Sequence, residues 1–425
     1  MKKWNERKKE APLLHICLFA YWLVLLIWQN IGGGENRSGV DLIIKCGLML
    51  MLFVYYFNHM TGIRRDVLKI ILILVMIYGT VKMSNGIALS EALYYFFPLL
   101  FILSIYGVGG HFEITRKQLL TLCNLLIAVV TYTALYALIF CFDQFANAFS
   151  VDSAYGNELK SFLFSSHEYG LYLAFGIMAA ILCLEITPNI TPKLKLLYYS
   201  AIVLFLPNLI LTFSRTSILA FLIMFLCYTI AFAKRRMRAI MLWSIVLAVL
   251  IVLIIPSLRD FFWEIVMKEN NDAGREDLID RAMKIFNSGT MLEKLLGRDF
   301  YYVEQFLQSN NGFSSFHNAY VSQLVSNGYL GVGIIIVMSF LSFHDIYLTI
   351  KSGAEHAHLA KLFFGFALAA IVFMLFNTTV LYASSIDSYF LTLFAAIVPK
   401  YVNRSICKGT FEKEVKVKGY GKTKL

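Results

Sequence analysis

The sequence has little charge, few prolines and no paired cysteines, and each shortage excludes a class of protein. Charged residues make up 15% of the 425 residues and only 7 residues are proline, whereas 59% are hydrophobic. Soluble domains are roughly 45–50% apolar, so a soluble globular fold is excluded. The seven cysteines are scattered singly, without a CxxC pair or a histidine at ligand spacing, which argues against a disulfide framework or a zinc site.

Two catalytic signatures are also missing from the segments outside the apolar runs. The long loop at 256–317 is too short for a doubly wound domain and has no glycine-rich phosphate loop. Neither this loop nor the first outer loop, GGGENRSGVD, contains a D-x-D motif. These absences argue against a metal-dependent membrane glycosyltransferase, and we expect no metal and no cofactor.

Apolar runs long enough to cross a membrane recur along the chain, and the mean hydropathy is +0.67. A transmembrane helix needs about 20 apolar residues to span a hydrocarbon core of about 30 Å. We therefore predict an all-α polytopic membrane protein with about 12 transmembrane helices. The predicted spans are 11–30, 40–58, 67–82, 88–106, 119–141, 168–186, 196–213, 216–233, 239–255, 318–340, 362–380 and 384–400.

Basic residues orient these spans. Of the 38 lysines and arginines, 26 lie on the side that holds both termini, so the positive-inside rule places both termini in the cytoplasm. The net charge of +11 follows from this bias, and we expect no nucleic-acid partner. The predicted segments are a cytoplasmic basic N-terminus (1–10), helices 1–9 (11–255), an extracytoplasmic helical loop (256–317), helices 10–12 (318–400) and a cytoplasmic basic tail (401–425).

The loop between helices 9 and 10 has two helical patterns, which predict a small folded cap. In DAGREDLIDRAMKIFNSG, apolar residues follow helical spacing from Leu278 to Phe286, and the run ends at Gly289. A second short helix, TMLEKLL, ends at Gly297. A loop of this kind is expected to cover the outer ends of the membrane helices.

Arg215 interrupts a stretch of 38 residues from Leu196 to Ala233, about 57 Å as one helix, so we expect a tight hairpin at Ser214-Arg215-Thr216. An intramembrane arginine costs roughly 2.5–3.5 kcal/mol on insertion scales and usually marks a ligand or ion path. The alternative is that Arg215 snorkels to the interface.

Three further cations are candidates for the same site: Lys82, Arg275 and Arg298. Together with Arg215 they would line an outward-facing pocket for a lipid diphosphate. The alternative for these residues is pairing with local acids.

The segment SSFHNAYVSQLVSNGYLGVG places His317 where the loop meets helix 10. Polar residues then recur four apart at Asn318, Ser322 and Ser326. This stripe is expected either to face a polar groove or to make hydrogen bonds between helices, which is the commoner use of serine in membranes. A histidine among cations at a cavity mouth is a candidate base; the alternative is an ordinary interfacial residue.

Four segments together resemble the O-antigen ligase and O-antigen polymerase family of bacterial envelope polysaccharide enzymes. They are LTFSRTS at 211–217, AGREDLIDRAMKIF at 273–286, LLGRDF at 295–300 and SFHNAYVSQLVSNGYLGVG at 315–333. A fifth segment, KSFLFSSHEYGLYLAF at 160–175, is similar except that His167-Glu168 replaces a Pro-Asn-like pair. The order of the segments and the long loop agree from Lys160 to about Gly333.

The resemblance implies a metal-independent, type C membrane glycosyltransferase in the bacterial cytoplasmic (inner) membrane, with its active site facing outside. It implies that Arg215 and Arg275, with Lys82 as a further match, hold the diphosphate of a polyprenyl-linked glycan. His317 would be the catalytic residue that serves the acceptor hydroxyl, and back-side attack would invert the anomeric carbon. The expected acceptor or glycan groove consists of Asn318, Ser322, Arg298, His167 and Glu168.

The activities left open share a lipid-linked donor. A polymerase extends a lipid-linked repeat unit, a ligase transfers the glycan to a lipid A core, and a flippase or transporter moves lipid-linked sugars unchanged. The short loops and the lysine-rich and asparagine-rich chain favour a capsule or exopolysaccharide polymerase, and a folded outer loop with a histidine disfavours a flippase. The expected partners are an undecaprenyl-diphosphate-linked oligosaccharide, membrane lipid, and chain-length regulator and flippase proteins.

Overall fold

The computed structural model describes about half of the chain. The described residues are 9–10, 112–113, 116–148, 158–163, 165–187, 190–232, 272–298, 316–351 and 357–377, with single helical positions at Gly47, Met51, Val54 and Ile254. Apart from those single positions, the predicted spans 11–30, 40–58, 67–82, 88–106, 239–255 and 384–400 lie outside these residues. Lys82 and the C-terminal tail lie outside them as well.

The described residues form nine helices and one short pair of strands. Strand β1 (Lys9–Glu10) pairs in parallel with β2 (Phe112–Glu113), which comes shortly before the first of the described helices. The helices are α1 (Arg116–Phe140), α2 (Phe142–Ala148), α3 (Ser166–Ile186), α4 (Pro192–Leu211), α5 (Arg215–Phe232), α6 (Asp272–Asn287), α7 (Met291–Leu296), α8 (Ala319–Lys351) and α9 (Ala357–Phe376).

Four of these helices are long and apolar enough to cross a membrane: α1, α3, α4 and, over Ala319–Tyr347, α8. The apolar parts of α5 and α9 are shorter, at Arg215–Ala231 and Ala360–Phe376. All six fall where the sequence predicts spans. The described part of the chain is therefore helical and typical of a membrane protein, whereas the total of about 12 helices stays a prediction.

Helix α3 is at the centre of the main hydrophobic cluster. It is almost wholly buried and packs against α1, α4 and α5. A helix that is hydrophobic all round, as α3 is, belongs inside a bundle rather than at its surface. Gly176 allows close packing here, because a Cβ at this position would lie 3.0 Å from Val130 and 3.1 Å from Phe205. Helix α9 extends the bundle by packing between α5 and α8.

Helices α6 and α7 pack against α8, and α6 forms a second, smaller hydrophobic cluster with Phe316 and the first part of α8. Its buried residues are Leu278, Ala282, Ile285, Phe286, Phe316 and Val325. The apolar faces come from the helical spacing seen in the sequence, and α7 ends at Gly297 as predicted. Which side of the membrane this cluster occupies stays a prediction.

Helix α8 consists of two helical segments that meet at Gly328, whose φ of 62° and ψ of −159° are not helical. The first segment, 319–327, is about 13 Å long at 1.5 Å per residue. Its residues Val321, Leu324 and Val325 pack in the second cluster, whereas Ala319 is fully buried in the main one. The polar stripe that opens the predicted span 318–340 therefore lies before the break. The apolar pattern did not indicate this break.

Candidate functional site

Arg215 is the first residue of α5 and follows a three-residue turn. Helix α4 ends at Leu211 and α5 begins at Arg215, so the long apolar stretch is divided as predicted, although the turn is at 212–214 rather than at Ser214-Arg215-Thr216. The turn residues Thr212, Phe213 and Ser214 are buried, and Phe213 adopts a left-handed φ of 49°. The Thr212 side-chain oxygen accepts the N–H of Ser214 at 3.2 Å. Local hydrogen bonds thus hold the turn that presents Arg215.

The start of α5 is suited to an anion. Ser214 caps the helix, because its Oγ accepts the Ser217 N–H at 3.3 Å and its carbonyl accepts the Ile218 N–H at 2.9 Å. The first N–H groups of a helix lack intrahelical partners and carry partial positive charge. Arg215, which is half-buried, adds a full positive charge at the same position. A phosphate group fits such a helix start.

The start of α3 lies beside the start of α5. His167 Nδ1 is 2.8 Å from Ser214 Oγ and 3.4 Å from Thr216 Oγ1. In return, the Ser217 hydroxyl donates to the His167 carbonyl at 2.9 Å. His167 and Glu168 belong to the first turn of α3, which Ser165 caps by accepting the His167 N–H. The structure therefore brings His167, which departs from the family pattern, into contact with the turn that carries Arg215.

A glycine makes this contact possible. A Cβ on Gly170, one turn after His167, would lie 2.7 Å from Ser217 Cβ and 3.1 Å from Thr212 Oγ1. The adjacent Tyr169 donates to Asn208 Oδ1 at 2.9 Å, so α3 is also tied to the last turn of α4. Sequence reasoning missed these roles of Gly170 and Tyr169, although the segment HEYG that contains them was part of the resemblance.

His317 lies between the two hydrophobic clusters. The preceding residue, Phe316, is buried in the second cluster, and Ala319 is buried in the main cluster. His317 is half-buried and has a left-handed φ of 50°, a conformation in which histidine is enriched relative to most residues. Asn318 caps α8, because its Oδ1 accepts the Val321 N–H at 3.1 Å. The predicted catalytic residue is therefore presented directly before the start of a third helix.

Arg298 is held by neighbouring groups. Its guanidinium donates to Ser288 Oγ at 3.2 Å and lies 3.6 Å from Glu293 Oε1. Its backbone N–H donates to the Val325 carbonyl at 2.8 Å. Val325 is in the last turn before the break in α8, where carbonyls lack their regular helical partners. In this structure Arg298 joins α7 to α6 and α8, and its place in the glycan groove stays a prediction.

Two glycines bring the backbones of α7 and α8 together. Gly297 has a φ of 79°, and a Cβ there would overlap the backbone of Ser326 and Asn327. Gly328 has a φ of 62°, and a Cβ there would lie 2.5 Å from the Leu295 carbonyl oxygen. Only glycine has no Cβ and adopts a positive φ at little cost. This contact therefore explains why glycine occupies position 297 in LLGRDF and position 328 in VSNGYL.

The remaining predicted site residues are only partly described. Arg275 lies in the first turn of α6, but its side chain is outside the described residues, as is all of Lys82. Ser322 is half-buried in the first segment of α8. Sequence reasoning missed Gln323 and Asn327 on the same segment, which are buried and joined by a 2.6 Å side-chain hydrogen bond. Within the part of the chain that the structure describes, no three His, Cys, Asp or Glu side chains cluster as metal ligands.

Comparison with protein families gives a match over part of the chain. Residues 200–336 match the family model described as O-antigen ligase. No curated protein matches the chain. This range contains the turn with Arg215, helices α6 and α7, and His317 with the first segment of α8; His167 lies before it. The match confirms the resemblance seen in the sequence and supports membership of this membrane protein in the O-antigen ligase and polymerase family.

Proposed function

We propose that this protein is a glycosyltransferase of the cytoplasmic membrane that polymerises lipid-linked repeat units. It transfers a glycan from a polyprenyl diphosphate to a sugar hydroxyl of another lipid-linked unit. The observation that carries this proposal is the position of Arg215: a cation at the start of a membrane helix, on a buried turn inside the region that matches the O-antigen ligase family.

The donor diphosphate binds at the start of α5. A guanidinium presents paired N–H donors that match phosphate oxygens, and each charged hydrogen bond contributes about 1.5–3 kcal/mol. Arg275, in the first turn of α6, supplies the second guanidinium by its match to the family motif. A diphosphate held in this way is a good leaving group, so the donor side of the reaction needs no strong acid.

The acceptor hydroxyl requires a group that takes its proton. Its oxygen forms a bond to the anomeric carbon while the bond from that carbon to the diphosphate breaks, and the polyprenyl diphosphate departs with the electron pair. His317 receives the hydroxyl proton, and attack from the back side inverts the anomeric configuration. General-base catalysis contributes typically 10²–10⁴-fold. The half-buried position of His317 between the two clusters supports this role, because it lies where the bundle meets α6.

A defined reaction with purified protein tests the activity. The protein in detergent or vesicles receives a synthetic polyprenyl-diphosphate repeat unit without ATP, and products are separated by length. Polymerase activity gives longer lipid-linked chains. Transfer only after a lipid A core is added would assign the ligase, and movement of unaltered substrate across a vesicle would assign the flippase.

Substitution of His317 tests the catalytic assignment. We expect His317→Ala to bind the lipid-linked donor normally and to extend it about 10²–10⁴-fold more slowly, because only the proton acceptor is lost. His317→Gly is the matched variant, since glycine accepts the left-handed φ of 50° and isolates the loss of the imidazole from backbone strain. Donor affinity lost in step with activity, or full activity in either variant, would contradict the assignment.

A further inference from the structure

His167 is the described site residue whose role the resemblance leaves least explained, because the family pattern has a different pair at 167–168. We infer that His167 is a positioning residue: its Nδ1–H donates to Ser214 and fixes the turn that presents Arg215. This inference rests on the proposed function only where it concerns the donor. The hydrogen-bond assignment itself follows from the described contacts.

Counting protons identifies the donor in the contact between His167 and Ser214. A serine hydroxyl has one proton to donate. The Ser217 hydroxyl donates to the His167 carbonyl at 2.9 Å, so it accepts from Ser214, whose hydroxyl donates to it at 2.8 Å. The single proton of Ser214 is therefore committed to Ser217. The 2.8 Å contact from His167 Nδ1 to Ser214 Oγ then requires the proton to be on Nδ1.

This assignment specifies which ring nitrogen of His167 carries the proton when the imidazole is neutral. In neutral histidine one ring nitrogen carries the proton and the other has the lone pair. With the proton on Nδ1, the neutral ring has its lone pair on Nε2. The Ser214 hydroxyl oxygen therefore requires a side-chain donor close to the α3 backbone, at the position that Nδ1 occupies.

Two of the hydrogen bonds of His167 hold both sides of the first turn of α5. The imidazole binds Ser214, directly before Arg215, and the backbone carbonyl binds Ser217, two residues after Arg215. Arg215 is therefore bracketed by two attachments to a single residue of α3. A long side chain loses binding energy when its backbone is free to move, because it must be ordered again for each bound ligand. His167 reduces that cost by fixing the backbone of Arg215.

A pair of amide variants separates the role of Nδ1 from that of Nε2. The Asn amide nitrogen can occupy the position of Nδ1, whereas the longer Gln amide reaches the position of Nε2. We expect His167→Asn to keep donor KM within about threefold of wild type, and His167→Gln to raise it about tenfold with a smaller change in kcat, corresponding to about 1.4 kcal/mol. Equal effects of Asn and Gln would overturn the assignment of Nδ1.

A double substitution tests whether His167 acts through Arg215. Binding of the polyprenyl-diphosphate donor is measured for His167→Gln in the wild-type and Arg215→Ala backgrounds. A positioning residue loses its effect when the group that it positions is absent, so we expect His167→Gln to weaken binding only when Arg215 is present. The same loss of affinity in both backgrounds would mean that His167 contacts the donor independently and would overturn the proposed role.

A readout without substrate distinguishes this inference from the proposed function. In protein labelled with ¹⁵N-histidine, the His167 resonances are identified by their absence from His167→Asn. We expect a protonated Nδ1 and an unprotonated Nε2 for the neutral ring, and a changed Nδ1 signal in Ser214→Ala. A ring protonated on Nε2 but not on Nδ1 would overturn the inference, whatever the activity. A protein that shows the expected tautomer but does not extend the donor would refute the proposed function alone.

Discussion

The candidate site contains two contacts between helix ends, one made by side chains and the other by the backbone. Where α3 meets α5, side chains make the contact: the His167 imidazole and the hydroxyls of Ser214 and Ser217. Where α7 meets α8, the backbone makes it: Gly297 lies against Ser326 and Asn327, and the Arg298 N–H binds the Val325 carbonyl. The first contact is near the predicted diphosphate site, and the second is at the segment that begins with His317.

The difference between these contacts determines how each tolerates change. A side-chain network can keep its geometry when one group is replaced by another that donates from the same place. Two backbones in contact leave no space for a Cβ, and the combination of positive φ with extended ψ at Gly297 and Gly328 costs other residues about 1–3 kcal/mol. The contact between α7 and α8 should therefore be structurally strict, whereas the contact between α3 and α5 is open to chemical variation.

The largest effect is expected from alanine at the α7–α8 contact. Gly297→Ala and Gly328→Ala should each separate α7 from α8, because the new Cβ overlaps backbone atoms that cannot rotate away. We expect a large loss of thermal stability in detergent and rapid proteolysis between α6 and α8. Gly333→Ala is the control, since a Cβ there has no atom within 4 Å. Wild-type stability of Gly297→Ala would show that the two backbones are not in contact.

An intermediate effect is expected at the α3–α5 contact. Gly170→Ala places a Cβ 2.7 Å from Ser217 Cβ, and overpacking of this kind costs about 1–3 kcal/mol. Because the displaced turn carries Arg215, we expect donor binding to fall more than thermal stability alone explains. Gly176→Ala is the matched control on the same helix, since its Cβ would meet Val130 and Phe205 at 3.0 and 3.1 Å, away from the turn. Equal loss of donor binding in the two variants would contradict this coupling.

The smallest effect is expected at the start of α7. Thr290 and Glu293 form a capping box, and Thr290→Ala should cost about 1 kcal/mol, whereas Thr290→Ser should cost much less. The Thr290 N–H donates to the Glu293 carboxylate and lowers its pKa. The carboxylate therefore stabilises the fold fully above its unfolded-state pKa, and this contribution is lost as the pH falls through the lowered value. The protection of α7 amides against hydrogen exchange, relative to the unfolded chain at the same pH, measures both effects. Protection that stays constant as the pH falls would argue against this bond.

The positions of the helices could be predicted from the sequence, whereas the contacts between helix ends could not. Apolar runs indicated α1, α3, α4, α5 and α9, because burial in lipid or in a bundle requires long hydrophobic segments. The stop at Gly297 and a division of the apolar stretch near Arg215 were also predicted from glycine and charge, although the turn is two residues earlier than predicted. The break at Gly328 was not predicted, because apolar residues continue on both sides of it. The hydrogen bond to the Val325 carbonyl near this break comes from Arg298, some thirty residues earlier in the chain.

The sequence by itself determined that the chain is a helical membrane protein and that Arg215 interrupts its apolar segments, since both follow from hydrophobicity along the chain. It also carried the motifs that match the O-antigen ligase family over residues 200–336. Only the tertiary structure decided that His167 contacts the turn before Arg215, since 47 residues separate His167 from Ser214. Hydrogen bonds and backbone contacts between helices depend on distances in space, which no period or composition of the sequence encodes.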